Sequence, residues 1–381
     1  MAEHNSIDNL GDMAVVIDPG SAYTKAGFSG DERPRAVVRS TAGRSAYRPD
    51  ESGRVGGFRG SSAAADPPGP GAPSSHSALG DGLITDWDAL EQLWSALLQE
   101  ELHVCPQEHA VLATDSPLAP PAQRQRLAEL LFEQFGVPAL YLSHRPVLSL
   151  YSYGLVTGLL VDSGSSATRV CPVYSGYCLP HANYSMPLGG AAVSAYLRRL
   201  LGEAGSRPGG GASERRSLLR EVKRQSCYVS QDFEQELRQG SEVTEYRLPD
   251  NTTVALGNER FRCAELLFCP SLDGAAQPGV HILAMSSLQS SAPEWQEELL
   301  ANVVVCGGSS LLGGFPERLQ AELERLAPRG SRVRVLSSSQ RHFSSWLGGS
   351  IVAGLSSFQP LWVTSADYQE QGPAVVQRRF Y

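Results

Sequence analysis

A ten-residue pattern occurs twice in this chain, and no other feature constrains the fold so tightly. Val16-Ile17-Asp18-Pro19-Gly20-Ser21-Ala22-Tyr23-Thr24-Lys25 and Leu160-Val161-Asp162-Ser163-Gly164-Ser165-Ser166-Ala167-Thr168-Arg169 both read as two apolar residues, then D-x-G-S-x-x-T, then a basic residue, with the aspartates 144 residues apart. Each copy follows a short apolar run, which predicts a buried strand, and the Gly-Ser pair predicts a tight turn whose backbone amides approach an anion closely. One copy alone reads as a plain hairpin. Two copies with one internal spacing predict two turns that face each other and clamp a phosphate, carried by two related lobes with a cleft between them. Asp18 and Asp162, at the strand ends, are placed for the water shell of a cation, and Lys25 for a phosphate chain.

The chain has 381 residues, more than the roughly 250 to 300 at which single cores stop growing, so two lobes are expected. The first comprises residues 1–150 and 345–381, the second residues 151–344. A formal charge of −8 argues against a dedicated nucleic-acid binder, whose footprint is normally a net basic domain. Cys105, Cys171, Cys178, Cys227, Cys263, Cys269 and Cys306 are odd in number and show no C-x-x-C pair, which predicts a reduced compartment, cytoplasmic or nuclear. No apolar run approaches the roughly 18 residues of a membrane span. The basic residues include two lysines, Lys25 and Lys223, and are otherwise arginine.

Strands alternate with helices along the chain, which predicts an α/β architecture. Thr85 with Asp88 resembles a capping box for a helix whose face carries Trp87, Leu90, Trp94, Leu97, Leu98 and Leu102. A strand is expected at 110–115 and a helix at 121–136. A helix, continuous or broken midway, is expected from Ser213 through Glu236, carrying Leu218, Leu219, Val222 and Val229, and a hairpin at 246–254. The apolar run Val303 to Cys306 enters Gly307-Gly308, and a helix from Pro316 carries Leu319, Leu323 and Leu326. Between Ser52 and Gly82, 23 of 31 residues are Gly, Ser, Ala or Pro, so the stretch 40–82 is expected to be mostly disordered. His109 and His181 are read as structural histidines, and Arg215, Arg216, Arg220, Lys223 and Arg224 as a solvated basic face.

Several stretches resemble one family. Lys25-Ala26-Gly27-Phe28-Ser29-Gly30-Asp31 followed by Pro34-Arg35-Ala36-Val37 resembles the first phosphate-binding hairpin of actin and the actin-related proteins. Cys227 through Glu236 and Gly257 through Phe268 are similar to actin signatures, Val303 through Ser310 to its adenosine turn, and Trp346 through Ile351 and Gly372 through Val376 to its C-terminal segments. The resemblance runs from Met13 to Tyr381 except for roughly 44–82. It implies a bilobal ATPase fold with a central nucleotide cleft, holding ATP or ADP with Mg2+.

On that resemblance, Gly20 and Ser21 correspond to the first phosphate loop, Lys25 to its lysine and Gly164 to the second loop. Asp18 and Asp162 correspond to the cation shell, Gly190 to a glycine near the ribose, Lys223 to a lysine beside the nucleoside, and Gly307 and Gly308 to the adenosine turn. The departures matter as much. Where the family positions and activates the attacking water, this chain has Arg145, Ser165 and Arg169, none of them an equivalent general base. Arg224 replaces the ribose-contacting glutamate and His342 the adenine-side lysine. Arg145 is expected to pair with phosphate oxygens in place of some cation charge.

The expectation is a divergent actin-like structural protein, an interaction platform with slow or absent ATPase and weakened, altered or lost nucleotide binding. An ATP-hydrolysing, filament-forming actin is the alternative, and a small-molecule kinase on the related fold a third reading. Cytoskeletal or complex-forming partners are expected at the groove between the lobes, where Tyr151, Gly154, Gly176, Tyr177, Val352, Leu355 and Leu361 match the family's docking residues; ordinary core is their other reading.

Overall fold

A computed structural model describes residues 13–41, 46–47, 77–205, 212–247 and 253–380. The chain divides into two compact units, Met1–Ser152 with Ser345–Tyr381, and Tyr153–Ser344. Each is a mixed sheet with helices packed against it.

In the first unit the strands are β1 (Val15–Pro19), β2 (Tyr23–Phe28), β3 (Ala36–Arg39), β4 (Ala46–Tyr47), β5 (Leu79–Gly80), β6 (Leu83–Ile84), β7 (Val111–Asp115) and β8 (Ala139–His144). The main sheet runs Val363–Thr364, β8, β7, β1, β2, β3, β4. Strand β1 pairs antiparallel with β2 and parallel with β7. Alternate residues of the central strands enter different cores. Val15, Ile17, Val111 and Ala113 pack with Leu90, Trp94, Leu97 and Leu98, while Val16 and Leu112 pack with Trp346, Phe358 and Trp362. With apolar side chains taken up on both faces, a continuous apolar run, rather than an alternating one, is what a central strand requires.

The first long helix, Trp87–Ala96, buries Leu90 and Trp94 and continues as a wider turn, Leu97–Glu101, that buries Leu97 and Leu98. Its cap corrects the sequence expectation. Asp86, not Thr85, leaves the helix and accepts from the Ala89 amide at 3.0 Å. The Thr85 hydroxyl turns back onto the Ser77 and Ala78 carbonyls. Asp86→Ala is therefore expected to cost about 1 kcal/mol in denaturant unfolding, with Thr85→Ala well below that; the reverse ranking would restore the capping-box reading.

The stretch 40–82 is ordered where it is described. Ser40 is fully buried, bonded to Thr24 at 3.0 Å, and donates to the Gly20 carbonyl at 2.5 Å. Strand β4 pairs with β3, and β5 and β6 form a small hairpin. Disorder is thus not found at 40–41, 46–47 or 77–82, and the remainder, 42–45 and 48–76, lies outside the described residues. Polar bonds at Ser40 and Ser77, together with burial of Ala78 and Leu79 in the core of this unit, hold these ends.

The second unit repeats the pattern. Strands β9 (Gly158–Ser163) and β10 (Thr168–Tyr174) form an antiparallel hairpin, followed by β11 (Tyr177–Cys178), β12 (Tyr184–Met186), β13 (Thr244–Arg247), β14 (Thr253–Leu256), β15 (Val303–Cys306) and β16 (Val335–Leu336). Strand β9 pairs parallel with β15, as β1 does with β7. Strands β13 and β14 pair as the expected hairpin; its turn, 248–252, lies outside the described residues, as do 206–211 of the glycine-rich loop.

The midway break left open for the 213–236 helix is found, and one apolar position of a later helix proves exposed. The predicted 213–236 helix is two, Ala212–Ser226 and Phe233–Gln239, because Asp232 caps the second by accepting from the Gln235 amide at 3.0 Å. Between them, Val229 lies in an extended link whose amide donates to the Gly313 carbonyl at 2.8 Å. In the helix Phe315–Leu326, Leu319 and Leu323 are buried but Leu326, at the last turn, is 40% exposed.

Candidate functional site

The repeated decapeptide folds twice into the same hairpin. In the first, the Gly20 amide closes the turn on the Tyr23 carbonyl at 3.1 Å; in the second, the Gly164 amide closes on the Ala167 carbonyl at 2.9 Å. Those two amides are therefore spent on the turns themselves. The register places Asp18 opposite Lys25 and Asp162 opposite Arg169. Each aspartate thus has a basic residue directly across the ladder, where opposite charges attract.

The first turn is braced by residues the sequence reading missed. The Ser77 hydroxyl donates to the Ser21 carbonyl at 3.1 Å, and the Gly82 amide to the Ser21 hydroxyl at 3.3 Å. Behind it lies a charged cluster. Lys25 Nζ donates to Asp18 Oδ2 at 2.7 Å, the Thr114 hydroxyl donates to Oδ1 at 2.7 Å, and Arg145 Nε stands 3.3 Å from Oδ1. Arg145 also donates from Nε to the Thr114 hydroxyl at 3.3 Å and from Nη2 to the Pro19 carbonyl. The guanidinium is thus held by its own chain. Burial pushes the Asp18 carboxyl toward its neutral form, but Lys25 and Arg145, with the hydrogen bonds from Lys25 and Thr114, outweigh it and hold the pKa below the ordinary carboxylate value. Thr114 was findable: it lies one residue from the end of β7, which runs parallel to β1, and ligand sites gather at the carboxyl ends of parallel strands.

Beside this cluster, Asp115 accepts from Arg124 Nε at 2.7 Å and Arg124 Nη2 donates to the His144 ring at 3.0 Å. Burial, then the Arg124 charge, pushes His144 down to about 3, so it is a neutral acceptor at ordinary pH.

In the second unit, residues far apart in sequence converge on the Gly164 turn. The Gly190 amide and the Ser309 hydroxyl both donate to the Gly164 carbonyl, at 3.0 and 2.6 Å, and the Ala191 amide donates to the Ser165 carbonyl at 2.8 Å. Lys223 Nζ donates to the Gly190 carbonyl at 2.5 Å. A Cβ on Gly190 would stand 2.5 Å from Ser309 Oγ and 2.9 Å from Lys223 Nζ, so a larger residue would have to displace these two side chains. Gly307 backs onto the end of β9, against the Ser163 carbonyl and Asp162 Oδ1. Asp162, Gly164, Gly190, Lys223 and Gly307 are brought together; Gly308, the next residue, is exposed and has no atom within 4 Å of where its Cβ would be. Arg224 is exposed on its helix, and His342 lies in the turn Arg341–Phe343 with its ring 3.8 Å from that of Phe343.

Lys223 corrects the expected basic face. It is 8% exposed, sharing the inner side of its helix with Leu219 and Val222, while Arg215, Arg216 and Arg224 are exposed. Burial pushes its pKa down from 10.5 to about 8. Below about pH 8 the folded chain bears the cost of a buried ammonium, and between about 8 and 10.5 the unfolded state binds more protons, so this contribution rises with pH. Lys223→Met is expected to remove an increment of about 3 kcal/mol across that window in urea titrations; unchanged pH slopes would show that Lys223 is charged without penalty.

His109 is structural, its Nδ1 bonded to the Met13 carbonyl at 2.8 Å, whereas His181 is exposed. Of the expected docking residues, Tyr177, Leu355 and Leu361 are 62%, 48% and 48% exposed, which rules out core for them. Tyr151 and Val352 pack half-buried against the Trp346 core, and Gly154 and Gly176 are turn glycines at φ 71° and 83°. Among the described residues no group of three or more His, Cys, Asp or Glu is placed to hold a metal ion. No described helix is long and apolar enough to cross a membrane.

A family model described as Actin matches residues 10–208 and 211–381. Actin-like protein 9 of Bos taurus is 39% identical over 373 residues, 97% of this chain and 88% of that protein. Actin-like protein 7B of Rattus norvegicus is 37% identical over 368 residues, covering 95% and 87%. Actin-like protein 9 of Homo sapiens is 39% identical over 375 residues, covering 97% and 88%.

Proposed function

Because the chain belongs to the actin family, we propose that it is a divergent, structural member that binds ATP or ADP weakly, hydrolyses little, and serves as a platform for cytoskeletal partners. The observation that carries this is Arg145. It stands where the family's water-positioning glutamine is expected, and its guanidinium is directed into the Pro19 carbonyl, Thr114 and Asp18. A guanidinium has donors but no oxygen with which to accept a hydrogen bond from water, and phosphoryl transfer depends on positioning that water. Ser165 and Arg169, at the other two positions, supply no substitute base.

Retention of a nucleotide is supported by Gly164, Gly190, Lys223 and Gly307 coming together, and by Lys25 and Arg145 standing behind the Gly20 turn. Exposed Tyr177, Leu355 and Leu361 support protein docking at the family's partner positions. The proposed setting is the cytoskeleton of the cytoplasm or nucleus.

Denaturing the purified protein and chromatographing what it releases, together with a steady-state phosphate-release assay, tests the reading. Bound adenine nucleotide with turnover far below actin's is expected. Turnover comparable with actin's would instead favour the hydrolysing, filament-forming alternative.

A further inference from the structure

The Asp18 carboxylate does not suit the water shell of a divalent cation, although it stands at that position. Oδ2 accepts from Lys25 at 2.7 Å; Oδ1 accepts from Thr114 at 2.7 Å and faces Arg145 Nε at 3.3 Å. One negative charge therefore sits against two positive ones, and a cation arriving there would meet net repulsion. The carboxylate is also covered: its side chain is 4% exposed, whereas those of Lys25 and Arg145 are 18% and 12% exposed. Within the cluster the two cations are thus the more exposed groups. Arg145 is further anchored to the Pro19 carbonyl, one residue before Gly20, so its charge is fixed at the base of the turn.

A polyphosphate needs compensating positive charge, and a guanidinium supplies it at every ordinary pH with only a weakly held hydration shell to strip. Resting on the nucleotide reading above, we propose that Arg145, with Lys25, supplies within the chain the charge that a divalent cation otherwise supplies, so that nucleotide phosphates bind without divalent metal.

The test is titration of the full chain with fluorescent etheno-ATP in magnesium and in excess EDTA. Wild-type Kd is expected to differ by less than about threefold between the two, while Arg145→Gln weakens binding about tenfold or more in EDTA and recovers with magnesium, and Arg145→Lys behaves largely as wild type. Circular dichroism checks that each variant folds; should Arg145→Gln not fold, the wild-type comparison and Arg145→Lys decide. Wild-type binding that needs magnesium overturns the inference and leaves the nucleotide reading standing. Metal-independent binding that persists in Arg145→Gln overturns the assignment to Arg145. Absence of binding in both buffers overturns the nucleotide reading and this inference with it.

Discussion

Gly307→Ala is expected to destabilise the 153–344 unit by about 3 kcal/mol or more, because two penalties coincide at that position. Its backbone, φ 88° and ψ 154°, lies in a region that essentially only glycine occupies. A Cβ would also fall well inside contact distance of the Ser163 carbonyl and Asp162 Oδ1. Relief requires movement of β9 against β15, yet these strands are registered residue for residue, Asp162 opposite Cys306. At roughly 2 to 4 °C per kcal/mol for a unit of this size, the melting temperature should fall by about 6 to 12 °C. The neighbouring Gly308→Ala is the control: no atom lies within 4 Å of its Cβ position, and the change should stay within about 0.5 kcal/mol. Equal losses at both positions would show that the close approach at Gly307 has no energetic consequence.

Arg318→Ala should cost about 3 to 5 kcal/mol. Arg318 is 9% exposed and joins two buried acids, donating to Glu265 at 3.0 and 3.1 Å and to Glu322 at 2.8 Å. It also donates to the Ser230 carbonyl at 2.7 Å and lies over the Phe268 ring. Burial raises the Glu265 pKa even with Arg318 present, and the guanidinium is what opposes that rise. Without it Glu265 is buried with no counterion among the described residues, and Glu322 keeps only the exposed Arg325, at 3.1 Å. The sign of the pH dependence follows: in the variant the folded state binds the extra proton, so its deficit should shrink as the solution is acidified. Adding Glu265→Gln and Glu322→Gln should recover much of the loss, measured by urea unfolding; no recovery would mean that Arg318 acts through packing on Phe268 rather than through charge.

Legibility from sequence followed the kind of force involved. Central strands such as Val15–Pro19 and Val303–Cys306 were readable because a strand covered on both faces leaves an uninterrupted apolar run. The buried face of Ala212–Ser226 was readable in Leu219 and Val222, and the same spacing places Lys223 inside. Caps were harder. Thr85 and Asp86 are both capping types, and the choice fell to Asp86 once the hairpin carbonyls of Ser77 and Ala78 took the Thr85 hydroxyl.

The repeated decapeptide, through its strand-turn-strand pattern, determined on its own that two like hairpins form; the structure registers them with Asp18 opposite Lys25 and Asp162 opposite Arg169. Only the tertiary structure decided who else joins them: Thr114 and Arg145 at Asp18, Gly190, Lys223 and Ser309 at the second turn. The reason is physical. Period and turn chemistry are local properties written into consecutive residues, whereas a buried charge or carbonyl takes its partner from whatever distant segment the packed sheets bring within about 3 Å.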